Sequence, residues 1–205
     1  MSERKSQNDR EPFVHPQMIM IYLILAGVTT LFLGFALAYA YTRFDQGAPA
    51  IKLPWLFFPS TVVLWYSSYL LKKVKIAYEE DDPETFVKML RWTLITSLIF
   101  LVMQCAGWIE LITTGIPVTY STLASYIYVI SAVHLGHVLL GLPFLIIYYL
   151  KSKRRLSGEL ESMVFFADPD PRRHLKLLSI YWIFLDRLWI GLMIFFWVNW
   201  LIPGA

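Results

Sequence analysis

Five long apolar runs constrain this chain more than any other feature of its sequence. They lie at about 18–41, 53–71, 90–112, 120–150 and 175–202, and polar or charged stretches separate them. A helix of about 20 apolar residues is long enough to cross the ~30 Å hydrocarbon core of a bilayer. In lipid the backbone must satisfy its own polar groups, and the alternating pattern of a membrane barrel is absent, so each run is expected to be helical. The sequence therefore predicts an all-α integral membrane protein with five transmembrane helices.

The distribution of basic residues predicts the orientation of these helices. Three Lys or Arg residues precede the first run, five lie in or beside the second connection, and seven lie in the fourth. Only Arg43 and Lys52 fall on the opposite side, and cytoplasmic loops carry the excess of basic residues. We therefore expect an antiparallel bundle with its N-terminus inside and its C-terminus outside. The net charge of +3 comes from these loops, so it indicates contact with lipid headgroups and not nucleic-acid binding.

The chain is expected to form one domain. Residues 1–16 read as a polar cytoplasmic tail and residues 17–205 as the five-helix domain, with no cleavable signal peptide because the first apolar run is too long for one. Asp168 and Asp170, next to prolines, suit turns and helix caps. Cys105, the one cysteine, is expected to be a buried structural thiol within the third helix.

Two glycines of the first run are placed for close helix packing. Gly27 and Gly34 are one heptad apart, and small residues at such spacing let a neighbouring helix approach. We expect these glycines to pack against another helix, and contact with another subunit or with lipid is the alternative.

Ionisable side chains at membrane depth are rare in proteins and usually face a partner or a cavity. Here they are Glu110, His134, His137, Asp186 and Arg187. A rise of ~1.5 Å per residue places the histidines and Asp186 at similar depth, and places Glu110 near the outer end of its helix. The i, i+3 spacing puts both histidines on one face, so we expect that face to hydrogen-bond to Asp186. Arg187 points ~100° away from Asp186 and is expected to meet a different partner, on another subunit or in lipid.

No catalytic or cofactor-binding arrangement is evident in the sequence. A bis-histidine heme normally takes its ligands from two helices, and only the fourth run carries histidines at depth. A di-iron site would need a Glu-x-x-His pattern, which is missing. We expect a structural polar contact for His134 and His137, with a proton-linked role or metal ligation as alternatives. The residues therefore favour a partner subunit that has no active site, metal or cofactor of its own.

Three motifs resemble a known family. VHLGHVLLGLPFLI from Val133 resembles the His-x-x-His-x-x-x-Gly segment of subunit III of cytochrome c oxidase, and QCAGWIEL from Gln104 resembles its Gln…aromatic-x-Glu element, with Glu110 at the acidic position. The family's Tyr-Trp-x-Phe-x-Asp-x-x-Trp signature is matched by Tyr181, Trp182, Phe184, Asp186 and Trp189. The motifs occur in the family's order on successive helices, so the resemblance is specific from Gln104 onward and topological before it.

This resemblance implies a subunit of a heme-copper terminal oxidase in the bacterial inner membrane, which reduces O2 to water with electrons from cytochrome c and pumps protons. In the family this subunit has no redox centre; it packs on subunit I beside subunit II and other subunits, binds phospholipid and supports lasting turnover, while heme and copper lie in its partners. Larger members have two more helices, a lipid-filled cleft and a buried Glu where this chain has Ala26, Gly27 and Val28, so it resembles a short five-helix form. A quinol oxidase subunit, a homologue associated with nitric oxide reductase, and a free-standing transporter or lipid-binding protein are the alternatives.

Overall fold

A computed structural model describes residues 16–47 and 49–202, with backbone alone at 159 and 160, so most of the predicted polar tail 1–16 lies outside the described residues. The described chain forms six helices: α1 (Pro16–Asp45), α2 (Phe57–Glu79), α3 (Pro83–Thr113), α4 (Thr122–Arg155), α5 (Glu159–Ala167) and α6 (Pro169–Leu201). The all-α prediction is confirmed, and five of the helices each contain most of one apolar run. The short α5 was not predicted.

Capping side chains define where three of the long helices begin. Asp82 precedes Pro83 and accepts a hydrogen bond from the backbone N–H of Thr85 at 3.0 Å, and its bonds with Thr85 hold the pKa of Asp82 below its usual range. Ser121 caps α4 in the same way. Asp168 accepts from the N–H of Asp170 at the start of α6, which confirms the cap predicted for Asp168.

In the described part of the chain, four helices are long and apolar enough to cross a membrane: α1, α3, α4 and α6. They contain 30 to 34 residues, about 45–51 Å of helix, which exceeds the hydrocarbon thickness. The fifth predicted span, α2, is not among them because Ser, Tyr and Lys residues interrupt its apolar sequence. The length and apolar character of these four helices indicate a membrane protein.

The long helices run alternately between two ends of the bundle. At the aromatic end, which carries Trp55, Trp197 and Trp200, α1, α3 and α6 finish and α2 and α4 begin. At the opposite, basic end, α5 places Phe165 and Phe166 against Tyr78 of α2, with ring centroids 6.0 and 5.3 Å away. Because α5 covers the apolar core at this end, it stays ordered although charged segments flank it.

The glycines that matter for helix packing are not the predicted ones. A Cβ on Gly27 or Gly34 would meet nothing within 4 Å, so no described helix of this chain packs against them. That packing prediction is wrong for the chain itself, because both residues lie on an exposed side of α1. Close approach occurs instead at Gly107, where a Cβ would lie 2.5 Å from the ring of Phe57, and at Gly141.

Cys105 also departs from its prediction, because its side chain is exposed and not buried. It shares a stripe of α3 with Val102 and Ile109, which are 70% and 61% exposed. Helix α3 packs against α2 and α4, and this stripe faces away from both. A position inside a membrane helix is therefore not necessarily inside the bundle.

Candidate functional site

His134 of α4 and Trp189 of α6, both motif residues, meet in an aromatic junction near the middle of the bundle. His134 is fully buried there, and its ring lies 4.9 Å from the ring of Trp189, tilted by 31°. Phe100 and Phe32 present their rings edgewise to the same imidazole at 5.8 and 6.3 Å. Aromatic rings therefore surround His134 and connect α1, α3, α4 and α6.

The two histidines have different environments. Among the described residues, neither ring nitrogen of His134 has a hydrogen-bond partner, and the buried amide of Gln104 on α3 also has none. His137 is half-buried, and its Nδ1 lies 2.7 Å from the carbonyl oxygen of Val133 on its own helix. No group of three or more His, Cys, Asp or Glu residues in the described parts of the chain could hold a metal ion. The two histidines share a helix face, but His134 packs into the aromatic junction and His137 forms a hydrogen bond within its own helix.

The predicted pairing of Asp186 with the histidines is wrong. Its buried carboxylate accepts a hydrogen bond from the hydroxyl of Ser68 on α2, with an oxygen–oxygen distance of 2.5 Å. One turn along α6, the Nε1–H of Trp189 donates to Thr61 Oγ1 at 3.2 Å, also on α2. The predicted depth is right, because Trp189 stacks on His134, but this face of α6 directs its polar atoms to α2. The two bonds join α2 to α6.

The signature pair Tyr181 and Trp182 packs over the glycine of the histidine motif. A Cβ on Gly141 would lie 2.5 Å from Cε1 of Tyr181 and 2.9 Å from Cζ3 of Trp182. The hydroxyl of Tyr181 also donates to the carbonyl oxygen of His137 at 2.8 Å. The motif on α4 and the motif on α6 therefore fit each other directly, and Gly141 is needed because no side chain has room there.

Glu110 lies in the last turn of α3, as predicted, and serves the start of α2. Its carboxylate oxygens accept hydrogen bonds from the backbone N–H groups of Trp55 at 2.8 Å and Leu56 at 3.2 Å. Leu56 has no side chain that could cap α2, and the carboxylate from α3 instead holds the two N–H groups that lead into the first turn of α2. An anion at a helix N-terminus also interacts favourably with the helix dipole.

Several residues of the interhelical network were not recognised from the sequence. Arg43 was counted as a loop charge, yet it is buried and donates to Asn199 Oδ1 at 3.3 Å and to the carbonyl oxygen of Ile202, which joins the last turns of α1 and α6. Ser131 accepts from Trp108 Nε1 at 2.9 Å between α4 and α3. Arg187 lies outside the junction and is exposed on α6, rotated away from Asp186 as expected.

Comparison with known proteins gives consistent matches. No family model matches the chain. It is 27% identical over 150 residues to cytochrome c oxidase subunit 3 of Corynebacterium diphtheriae, covering 73% of this chain and 67% of that protein. It is 27% identical over 190 residues to the protein of that name in Synechocystis, covering 88% and 75%. A probable cytochrome c oxidase subunit 3 of Rickettsia prowazekii is 26% identical over 141 residues, 69% of this chain, and the match spans about half, 47%, of that relative.

Proposed function

We propose that this chain, which belongs to the cytochrome c oxidase subunit III family, is a membrane subunit of a heme-copper oxidase that reduces O2 to water. Cytochrome c would supply the electrons, and the complex would pump protons. In this assembly the chain packs on the heme-bearing subunit I, and subunit II and the other oxidase subunits complete the complex. Heme and copper belong to those partners, and the chain helps the complex to stay active over many turnovers.

One observation carries this proposal: the family's motif residues are engaged in contacts between helices. Glu110 holds the start of α2, Asp186 and Trp189 bond to α2, and Gly141 accommodates Tyr181. These contacts use the polar atoms of the motifs to join the bundle. This use favours a subunit that shapes a membrane surface for its neighbours, with the redox chemistry in those neighbours.

The same proposal includes α2 as a fifth membrane span. Helix α2 begins beside Glu110 at the end of α3, and it ends beside the start of α3, where the N–H of Asp82 donates to the carbonyl oxygen of Ala77. It therefore extends along a helix that can cross a membrane, and its 23 residues make ~34 Å of helix. Two of its short polar side chains face other helices: Ser68 donates to Asp186, and Thr61 accepts from Trp189.

Charge supports the orientation proposed for these spans. Twelve Lys and Arg residues of the described chain lie towards the basic end, whereas Arg43 and Lys52 lie at the aromatic end. The positive-inside rule then places the basic end in the cytoplasm and the aromatic end outside. In a bacterium this arrangement corresponds to the cytoplasmic membrane.

Copurification tests the proposal. The tagged full-length chain is extracted from its native membranes in a mild detergent, and an unrelated tagged multi-pass protein from the same membranes is the control. We expect a heme-copper subunit I and heme absorption bands to copurify with the tagged chain and not with the control protein. The copurified complex should reduce O2 with electrons from cytochrome c. Purification without any heme protein would contradict the proposal. Oxidation of quinol in place of cytochrome c, or reduction of nitric oxide in place of O2, would contradict its choice of oxidase.

A further inference from the structure

Arg187 is an exposed cation on α6, one of the helices that can cross a membrane. It directly follows the buried Asp186, but its own side chain lies on the outside of the bundle. Among the residues that the structure describes, no carboxylate forms an ion pair with its guanidinium. The charge of Arg187 is therefore not neutralised within this part of the chain.

Arg187 also lies near the middle of the apolar part of its helix. Toward the basic end the nearest basic residue is Lys176, 11 residues or ~16 Å away, and toward the aromatic end the first exposed tryptophan is Trp197, ten residues or ~15 Å away. Basic and tryptophan side chains mark the two interfaces of a membrane helix. Both headgroup regions thus lie farther from the backbone of Arg187 than one arginine side chain reaches. A cation at this depth is costly unless an anion pairs with it there, so the compensating group should lie within the hydrocarbon core.

The surface beside Arg187 admits another helix at close range. Gly191 follows one turn later on α6, and a Cβ there would meet nothing within 4 Å. Ala26 and Thr29 of α1 line the same groove of about 640 Å³ as Arg187, and both are exposed. Small residues let membrane helices approach one another closely. The groove between α1 and α6 is therefore shaped for a third helix.

The charges of this groove favour an acidic partner and disfavour a second copy of the chain. The groove is lined by three basic residues, Lys75, Lys176 and Arg187, and by no acidic residue. Among the described residues, the one carboxylate at the depth of Arg187 is that of Asp186, which is buried and accepts a hydrogen bond from Ser68. A second copy could not present it to Arg187 without breaking that contact. The partner should therefore be a different protein.

We propose that the groove between α1 and α6 docks a transmembrane helix of another protein, and that an aspartate or glutamate in the middle of that helix pairs with Arg187. The guanidinium presents its N–H donors in a planar fork that matches both oxygens of a carboxylate. In the hydrocarbon core no water competes for these groups, so the pair is stronger than at a protein surface. The inference rests on the subunit role of the proposed function, and it adds the face of the chain and the charge that a neighbour must present.

Photocrosslinking in the native membrane identifies the occupant of the groove. A photoreactive residue replaces Ile183, which lines the groove one turn before Arg187. The matched control is the same replacement at Leu140 of α4, which is 68% exposed, does not line the groove and lies at similar depth, since the adjacent Gly141 contacts Trp182. We expect position 183, and not position 140, to crosslink to a transmembrane peptide with an Asp or Glu near its middle. Crosslinks to lipid alone, or to a helix without a carboxylate, would overturn the inference.

Substitution of Arg187 then tests the ion pair in the purified complex. Arg187→Leu should make the crosslinked partner dissociate about 30-fold faster in detergent, because losing one member of a buried charge pair acts mainly on the dissociation rate. Arg187→Lys keeps the charge and should lose less. Arg187→Glu should also release the partner, and a lysine in place of the partner's carboxylate should restore its retention. An unchanged dissociation rate for Arg187→Leu, or no restoration by the exchanged charges, would overturn the inference.

Copurified heme, scored in the same preparations, separates this inference from the proposed function. An acidic transmembrane helix crosslinked at position 183 without any copurified heme would contradict the oxidase proposal alone. Heme that copurifies while position 183 finds no acidic helix would contradict the inference alone.

Discussion

Replacing Gly141 by alanine should destabilise the bundle, whereas the same change at Gly34 should not. The added methyl at Gly141 would lie 2.5 Å from the ring of Tyr181 and 2.9 Å from that of Trp182. Neither ring can move away freely, because Trp182 is 2% exposed and the Tyr181 hydroxyl bonds to the carbonyl of His137. At Gly34 the methyl would meet nothing within 4 Å.

The two variants together isolate the steric contribution. Alanine gains about 0.8–1 kcal/mol over glycine inside a helix, and this gain is common to both positions. Overpacking a well-packed site costs about 1–3 kcal/mol. The free energy of unfolding is therefore expected to be lower for Gly141→Ala than for Gly34→Ala by about 1–3 kcal/mol, which is the overpacking cost alone. Gly34→Ala itself should be as stable as the wild type or slightly more stable.

Thermal unfolding of both purified variants in the same detergent measures this difference. The midpoint should fall for Gly141→Ala and should fall further for Gly141→Leu, which adds a larger side chain at the same contact. Equal midpoints for Gly141→Ala and Gly34→Ala would refute the reasoning, because they would mean that α6 does not pack closely on this glycine.

Substitutions at three further positions test the interhelical contacts, by thermal unfolding at Glu110 and His134 and by the heme spectrum at Asp186. Glu110→Ala removes the acceptor for two N–H groups at the start of α2 and should cost about 1–3 kcal/mol, with Glu110→Gln, which keeps an acceptor, losing less; an unchanged midpoint for the alanine variant would refute the capping role. His134→Phe replaces two unpartnered nitrogens by an apolar ring and should be neutral or stabilising, whereas His134→Ala should cost about 2–4 kcal/mol; an equal loss in both would indicate that the nitrogens have a partner. Asp186→Leu should weaken the contact of α6 with Ser68 and leave the heme spectrum of the complex unchanged, while Asp186→Asn keeps an acceptor; an altered spectrum would indicate a role as a ligand.

The sequence predicts helices well in this chain because length and apolar content decide membrane helices almost alone. The aspartate–proline pair of Asp168 and Pro169 marks where α6 begins. The short α5 escapes the same reasoning, since nine residues between charged segments do not form a long apolar run. Its order depends on Phe165 reaching the core, and this contact is set by the tertiary structure.

Depth along the membrane was predicted better than rotation about each helix. The rise per residue correctly places Glu110 near a helix end and His134 level with the middle of α6. The predicted partner of Asp186 was wrong because the actual partner, Ser68, belongs to a helix whose position in the bundle does not follow from its sequence. For the same reason Gly141 was recognised as part of a motif, while its steric role became clear only from the contact with Tyr181.

The central claim is that the redox centres lie in the partner subunits and not in this chain. The most direct test is the reduced-minus-oxidised difference spectrum of the oxidase complex, purified once with this chain and once without it. The account predicts that subunit I keeps its full set of heme bands in both preparations, and that the preparation without the chain loses activity earlier during turnover. Loss of a heme band when the chain is removed would contradict the account, because it would place a redox centre, or a ligand to one, on this chain.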